Sequence, residues 1–282
     1  MRQQQYLNNR HVIDFIEWLK LKLNNYPCNY NIRLAPANID WVNHNNRTVN
    51  WGCISIFDAY NQYYWGAGDF QANSDILNEL KFRGHRAILE QDNTQLINFS
   101  IDVLRWGKVI NRNLPYIVNY QNLEYGSFME EVIAGCNILN LNEFDDETSF
   151  NINLRLNSGF TKIYSLLIEN FIIYDSRVSL ALCRMIGEYL NENIIRDIPN
   201  ELNFRIPPRR NGGNGYHFNE NIIFRGINSP IQHQINNVRS SWILNKVLTD
   251  DDNFNSNFSQ LPYEIRLRAL ESALFMIGYG IQ

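Results

Sequence analysis

A mainly α-helical fold is what this sequence predicts, on three observations. Apolar residues recur at intervals of three and four over several long stretches, as a one-faced helix requires. Ser or Asp, the residues that cap helix starts, open a number of those stretches. Strand-like signal is confined to the neighbourhood of Trp51 to Phe57, and no repeat of fixed period is visible.

Taken in chain order, the first 23 residues form a helix with Val12, Phe15, Ile16, Leu19 and Leu23 on one face. The stretch Tyr26 to Gly68, rich in Asn, Pro, Gly and aromatics, reads as loops with a short strand or two near Trp51. Ser74 to Lys81 opens on a good N-cap and continues with a helical apolar pattern. Asp92 to Ile110 repeats that layout with Leu96, Phe99, Ile101, Val103, Leu104 and Trp106. Further helices are expected over Phe128 to Leu139, Thr161 to Ile168, Asp175 to Asn193, Val238 to Thr249 and Pro262 to Ile277. The segment Arg205 to Gln234, which contains PPRRNGGNG, is the clearest loop.

A chain of 282 residues can bury a sizeable core as one unit, 1–282, with two helical lobes drawn at 1–127 and 128–282. Its 45% hydrophobic and 13% aromatic content suits a folded protein and leaves little room for long disorder. No run of about eighteen apolar residues is present, and the N-terminus lacks a signal-peptide layout. The expectation is a cytoplasmic protein with no membrane partner. Cys28, Cys53, Cys136 and Cys183 form no CxxC pair and no clustered histidines accompany them, so free core thiols are expected, with no disulfide, metal, iron–sulfur cluster or other cofactor.

Asparagine accounts for 42 residues, a bias that A/T-rich codons explain without a site. The net charge of −4 argues against a surface that grips nucleic acid all round. Between Arg155 and Arg210, however, eight Lys or Arg face six acids, which makes this the most basic part of a net acidic chain.

Within that part lies RLNSGFTKIYSLLIENFIIYDSRVSLAL. A helix over Thr161 to Glu169 would be roughly 13 Å long, and an extended link over Asn170 to Asp175 spans up to about 20 Å. The chain can therefore double back and bring Asp175 near Lys162. Asp175 is also placed to cap the helix SRVSLALCRMIGEYL, and many aspartates in such positions are caps and nothing more.

These residues resemble the core of the helix–hairpin–helix DNA glycosylases of the 8-oxoguanine glycosylase type, over about thirty positions. Leu156 matches the leucine that starts the hairpin, Lys162 the lysine that closes it, and Asp175 the catalytic aspartate. Ser158 and Phe160 stand where that family has two glycines, with Gly159 between them, and the link from Lys162 to Asp175 is shorter than the family's. RSSWILNKVL and LRALESALFMIGYGI add to the likeness to a divergent prokaryotic branch. The resemblance implies a helix–hairpin–helix element, double-stranded DNA carrying a modified base as partner, and catalytic roles for Asp175 and Lys162. The same broad group includes phage-defence glycosylases that attack glucosylated cytosines.

The chemistry is consistent with those roles. Cleaving an N-glycosidic bond builds positive charge on the sugar, which a fixed anion such as Asp175 stabilises. Lys162 can be the nucleophile if its amine is neutral, giving a Schiff base and strand nicking; otherwise it contacts phosphate and water attacks, leaving an abasic site. The base must be flipped out first. Hairpin amides around Ser158, Gly159 and Thr161 are suited to a DNA phosphate, with Ser176 and Arg177 in the next helix's first turn as further DNA contacts. Arg209 and Arg210 beside GGNG are a candidate clasping loop. The alternative is a non-catalytic DNA-binding protein in which Asp175 is only a cap.

Overall fold

The computed structural model describes residues 1–33, 48–66, 68–121, 127–140, 150–208, 215–250, 256–279 and 281. Among these residues the chain forms eleven α-helices and two small two-stranded sheets, a mainly helical architecture with a few short strands. Arg209 and Arg210 lie outside the described residues. No helix among the described residues is long and apolar enough to cross a membrane.

Helix α1 (Gln3–Leu7) leads into α2 (Arg10–Leu23), where the Asn9 side chain caps the start by accepting from the His11 amide. All five residues of the expected apolar face of α2 are buried. Strand β1 (Cys28–Arg33) pairs antiparallel with β2 (Thr48–Cys53), so the strand signal near Trp51 is half of a hairpin whose other half read as loop. Next comes α3 (Ile56–Asn61), capped by Ser55, which also lies in a stretch read as loop because it is short.

Helix α4 (Phe70–Leu89) begins at Asp69, which accepts from the Ala72 amide at 2.9 Å. Ser74 is thus inside the helix and is not its cap. Helix α5 (Asn93–Trp106) is capped by Asp92 as its sequence suggested. Helix α6 (Ile110–Gln121) carries Pro115 inside it, a residue that normally argues against a helix interior. Helix α7 (Phe128–Leu139) starts in a reciprocal Ser127/Glu130 capping box. Then come α8 (Phe160–Leu167) and α9 (Ser176–Glu192). Strands β3 (Tyr216–His217) and β4 (Ile223–Phe224) make a hairpin in the segment read as loop, followed by α10 (Pro230–Thr249) and α11 (Tyr263–Tyr279). Helix α10 starts earlier than its apolar pattern suggested, because Ser229 caps it and Pro230 occupies the first-turn position that suits proline.

The helices pack in two groups. Helices α4 to α8 pack mostly on one another, around Phe99, Phe128, Phe160 and Tyr164. Helices α1 to α3 pack on α9, α10 and α11, around Tyr6, Phe15, Leu19 and Leu244. A division at residue 127 does not follow this packing: α7 and α8 belong with α4 to α6, and the N-terminal helices belong with the C-terminal ones. Helix α11 comes so close to the start of α9 that a Cβ on Gly278 would lie 1.9 Å from the Arg177 carbonyl oxygen. Lys162 belongs to the last helix of the middle group, and Asp175 opens the first helix of the C-terminal group.

Candidate active site at the meeting of two helix starts

Asp175 is the N-cap of α9. Its Oδ1 accepts hydrogen bonds from the amides of Arg177 (2.9 Å) and Val178 (3.1 Å). Lys162 sits in the first turn of α8, and its Nζ donates to the Ser158 carbonyl at 2.9 Å and to Asp175 Oδ2 at 3.5 Å. The sequence-expected pair is therefore brought together, with two helix N-termini converging on it. The side chains keep only 7% (Lys162) and 14% (Asp175) of their surface in solvent, so most bulk water is excluded from the pair. Gly107, after α5, makes room for the lysine: a Cβ there would lie 2.5 Å from Lys162 Cδ.

The link between the helices belongs to no sheet, so its buried backbone groups need partners elsewhere. Side chains of α10 and α11 supply them. Ile172 N donates to Ser241 Oγ (3.2 Å) and Ile172 O accepts from Asn237 Nδ2 (2.9 Å). Ile173 N donates to Glu271 Oε2 (2.7 Å), and Asn245 Nδ2 donates to Asn170 O (2.7 Å). Asn170 itself has φ +57°, a left-handed conformation that asparagine tolerates. Glu271 is buried and also accepts from Arg268 Nη1 (2.6 Å); burial pushes its carboxyl above the usual range, against the pull of Arg268.

His233 is the last support, with Nε2 3.1 Å from the Tyr174 carbonyl, the residue before Asp175. Burial pulls the imidazole from its ordinary 6.5 down to about 4. The carbonyl partner assigns the proton to Nε2 in the neutral ring. The unfolded chain takes up a proton near pH 6.5 that the folded chain refuses until about pH 4. The stability contributed by this group is therefore complete above pH 6.5 and is lost as the pH falls through that window, by about 3 kcal/mol. Urea unfolding of wild type and His233→Gln at neutral pH and at the acid end of the window checks this: the variant should lose that part of the acid sensitivity, and an unchanged difference would exclude His233 as its source.

The other expected DNA contacts are placed differently. The Gly159 and Phe160 amides donate to Asn157 Oδ1 (2.8 and 3.1 Å), and the Thr161 amide donates to the Asn157 carbonyl (2.9 Å). The Gly159 and Thr161 amides expected to face a phosphate are thus satisfied within the turn, because Asn157 folds back over it. Thr161 is fully buried and its hydroxyl donates to the Ser158 carbonyl, so its side chain is a packing element. Ser158 and Ser176 are half-buried. Arg177, expected on a phosphate, has its guanidinium against three rings, Tyr279 (3.8 Å to the centroid), Phe275 (4.5 Å) and Trp65 (5.4 Å), and burial lowers its pKa.

Sequence reasoning missed Lys108. It is exposed, adopts φ +55° in the turn between α5 and α6, and sets its Nζ 4.8 Å from the Trp65 ring centroid. Partial burial and then the charge of Arg177 lower its pKa. Its position after Gly107 at a helix end looks in sequence like a cap and nothing more. A cavity of about 580 Å³ opens at the opposite end of α8, between Asn137, Glu169, Trp242 and Lys246, and neither Asp175 nor Lys162 lines it.

Comparison of the chain with protein-family models, with curated proteins and with solved structures gives no match.

Proposed function

We propose that this protein is a DNA glycosylase that flips a modified base out of double-stranded DNA and hydrolyses its N-glycosidic bond, leaving an abasic site. The observation that carries this reading is the convergence of Asp175 and Lys162 at two helix starts, on the boundary between two helical groups. Asp175, fixed by two backbone amides, stabilises the positive charge that develops on the sugar as the bond to the base lengthens. Water attacks the anomeric carbon, the base departs and takes a proton, and the abasic sugar remains. Lys162 holds the aspartate, and its ammonium is already engaged by the Ser158 carbonyl and the carboxylate, which favours water over lysine as nucleophile. Lys108 and the Trp65 turn supply positive charge and an aromatic surface beside the pair. The proposed substrate class is phage DNA bearing glucosylated hydroxymethylcytosine, met in the cytoplasm.

The test is incubation with DNA from phages that do and do not glucosylate their cytosine, followed by aldehyde-reactive labelling of abasic sites and alkaline cleavage. Labelling confined to modified DNA is the expected result. Absence of labelling on any DNA, with binding retained, would leave the second reading, DNA binding without chemistry. That reading is favoured by the use of both Asp175 oxygens in cap and ion pair and by the enclosure of Arg177 among rings.

Borohydride separates the nucleophiles. With water attacking, no protein–DNA adduct is trapped, and Lys162→Arg, which keeps the charge but cannot attack, retains base release within about tenfold. An adduct in the wild type that vanishes in Lys162→Arg would assign the attack, and a lyase step, to Lys162.

A further inference from the structure

Cys28 and Cys53 are distant in sequence, yet β1 and β2 make them direct partners across the antiparallel pair, with Sγ atoms 3.2 Å apart. Antiparallel partners have Cα atoms about 4.5 or 5.5 Å apart, inside the range of about 4.4–6.8 Å that a disulfide bridges. The sulfurs need to close by roughly 1 Å to reach the bonded distance of about 2.05 Å. The two thiols differ in access, since Cys28 is half-buried and Cys53 is buried. Cys53 can donate toward Cys28 Sγ or to the Tyr26 carbonyl at 3.6 Å.

We propose that Cys28 and Cys53 are a redox-active pair, oxidised to a disulfide by a hydroperoxide, with Cys28 as the attacking sulfur and Cys53 as the resolving one. The surroundings suit this division. The hydrogen bond from Cys53 is the largest influence on Cys28 and lowers its thiol pKa, with the charge of Arg184 acting in the same direction against burial. The thiol of Cys53 is pushed up, through its shared proton and then burial, so it keeps its hydrogen until the second step. Arg184 is held in place by Glu188 at 2.7 Å, and Glu188 also accepts from the Tyr26 hydroxyl at 2.7 Å.

In the first step the Cys28 thiolate bonds to one peroxide oxygen, the O–O bond breaks, and the other oxygen leaves as hydroxide or alkoxide and is protonated. In the second, the Cys53 sulfur attacks the sulfenic sulfur of Cys28, the S–S bond forms, and hydroxide leaves and takes the Cys53 proton as water. Two thiols lose two electrons in all, and the peroxide gains them.

The experiment exposes the intact reduced protein to hydrogen peroxide, counts thiols, and maps linked peptides by mass spectrometry. Two of the four free thiols should disappear, the linked peptides should carry Cys28 and Cys53, and dithiothreitol should restore both. Cys53→Ser should accumulate a dimedone-reactive sulfenic acid at Cys28, whereas Cys28→Ser should keep Cys53 as a thiol. Linkage through Cys136 or Cys183, or four surviving thiols in the wild type, overturns the proposal, and the wild-type map decides alone if a serine variant fails to fold.

Discussion

Asp175→Asn should abolish base release while leaving a folded protein that still binds DNA. Asparagine caps a helix about as well as aspartate, so the hydrogen bonds to the Arg177 and Val178 amides can be kept by its carbonyl oxygen. What is lost is the charge: the developing positive sugar meets a neutral amide, and Lys162 loses its ion-pair partner. Removing one preorganised electrostatic contact costs about 10²–10³ in rate, and a loss at least that large is expected for the group nearest the charge. The measurement pairs abasic-site formation with thermal melting and a DNA-binding titration on the same preparation. Activity within tenfold of wild type would remove Asp175 from the chemistry and leave it a cap.

Glu271→Ala should be the most destabilising of the substitutions considered. The carboxylate is buried, takes the Ile173 amide at 2.7 Å and pairs with Arg268 at 2.6 Å. Deleting it strands a buried amide and a largely covered guanidinium, and breaking such a pair from one side costs about 3–5 kcal/mol. Glu271→Gln keeps an acceptor for Ile173 and should cost less than the alanine change. Because Ile173 is two residues from Asp175, the glutamine variant should lose more activity than its melting temperature alone accounts for. Urea unfolding of both variants checks the order, and an alanine variant within about 1 kcal/mol of wild type, well below that expected cost, would contradict it.

The helices with a long apolar period and a polar cap were legible in sequence, as α2, α5, α7 and α9 demonstrate. Helix α6 was hidden by Pro115, α3 by its brevity, and β1 by a composition that serves loops equally well. At the candidate site, Asp175 and Lys162 were readable because a short link joins them. Their supports were not: Glu271 and His233 lie 98 and 59 residues from the link positions they hold, and nothing in a one-dimensional pattern pairs them. The same is true of the facing cysteines, since a strand register is a property of two segments together. Arg177 was read as a phosphate ligand because its charge is visible in sequence, whereas the rings that cover it come from Trp65, Phe275 and Tyr279.

The interleaved packing of the helices has a consequence for biosynthesis. Helices α4 to α8 are contiguous in the chain and can condense as soon as they emerge, but α1 to α3 must wait for α9 to α11, about 200 residues later. At ribosomal speeds of about 5–20 residues per second that wait is roughly 10–40 s. Throughout it, the apolar stripe of Val12, Phe15, Ile16 and Leu19 has no native partner from the C-terminal helices. The growing chain thus holds an uncovered apolar stripe alongside an already condensed middle group, and it finishes folding by the slow, high-contact-order step expected when helices about 200 residues apart must meet.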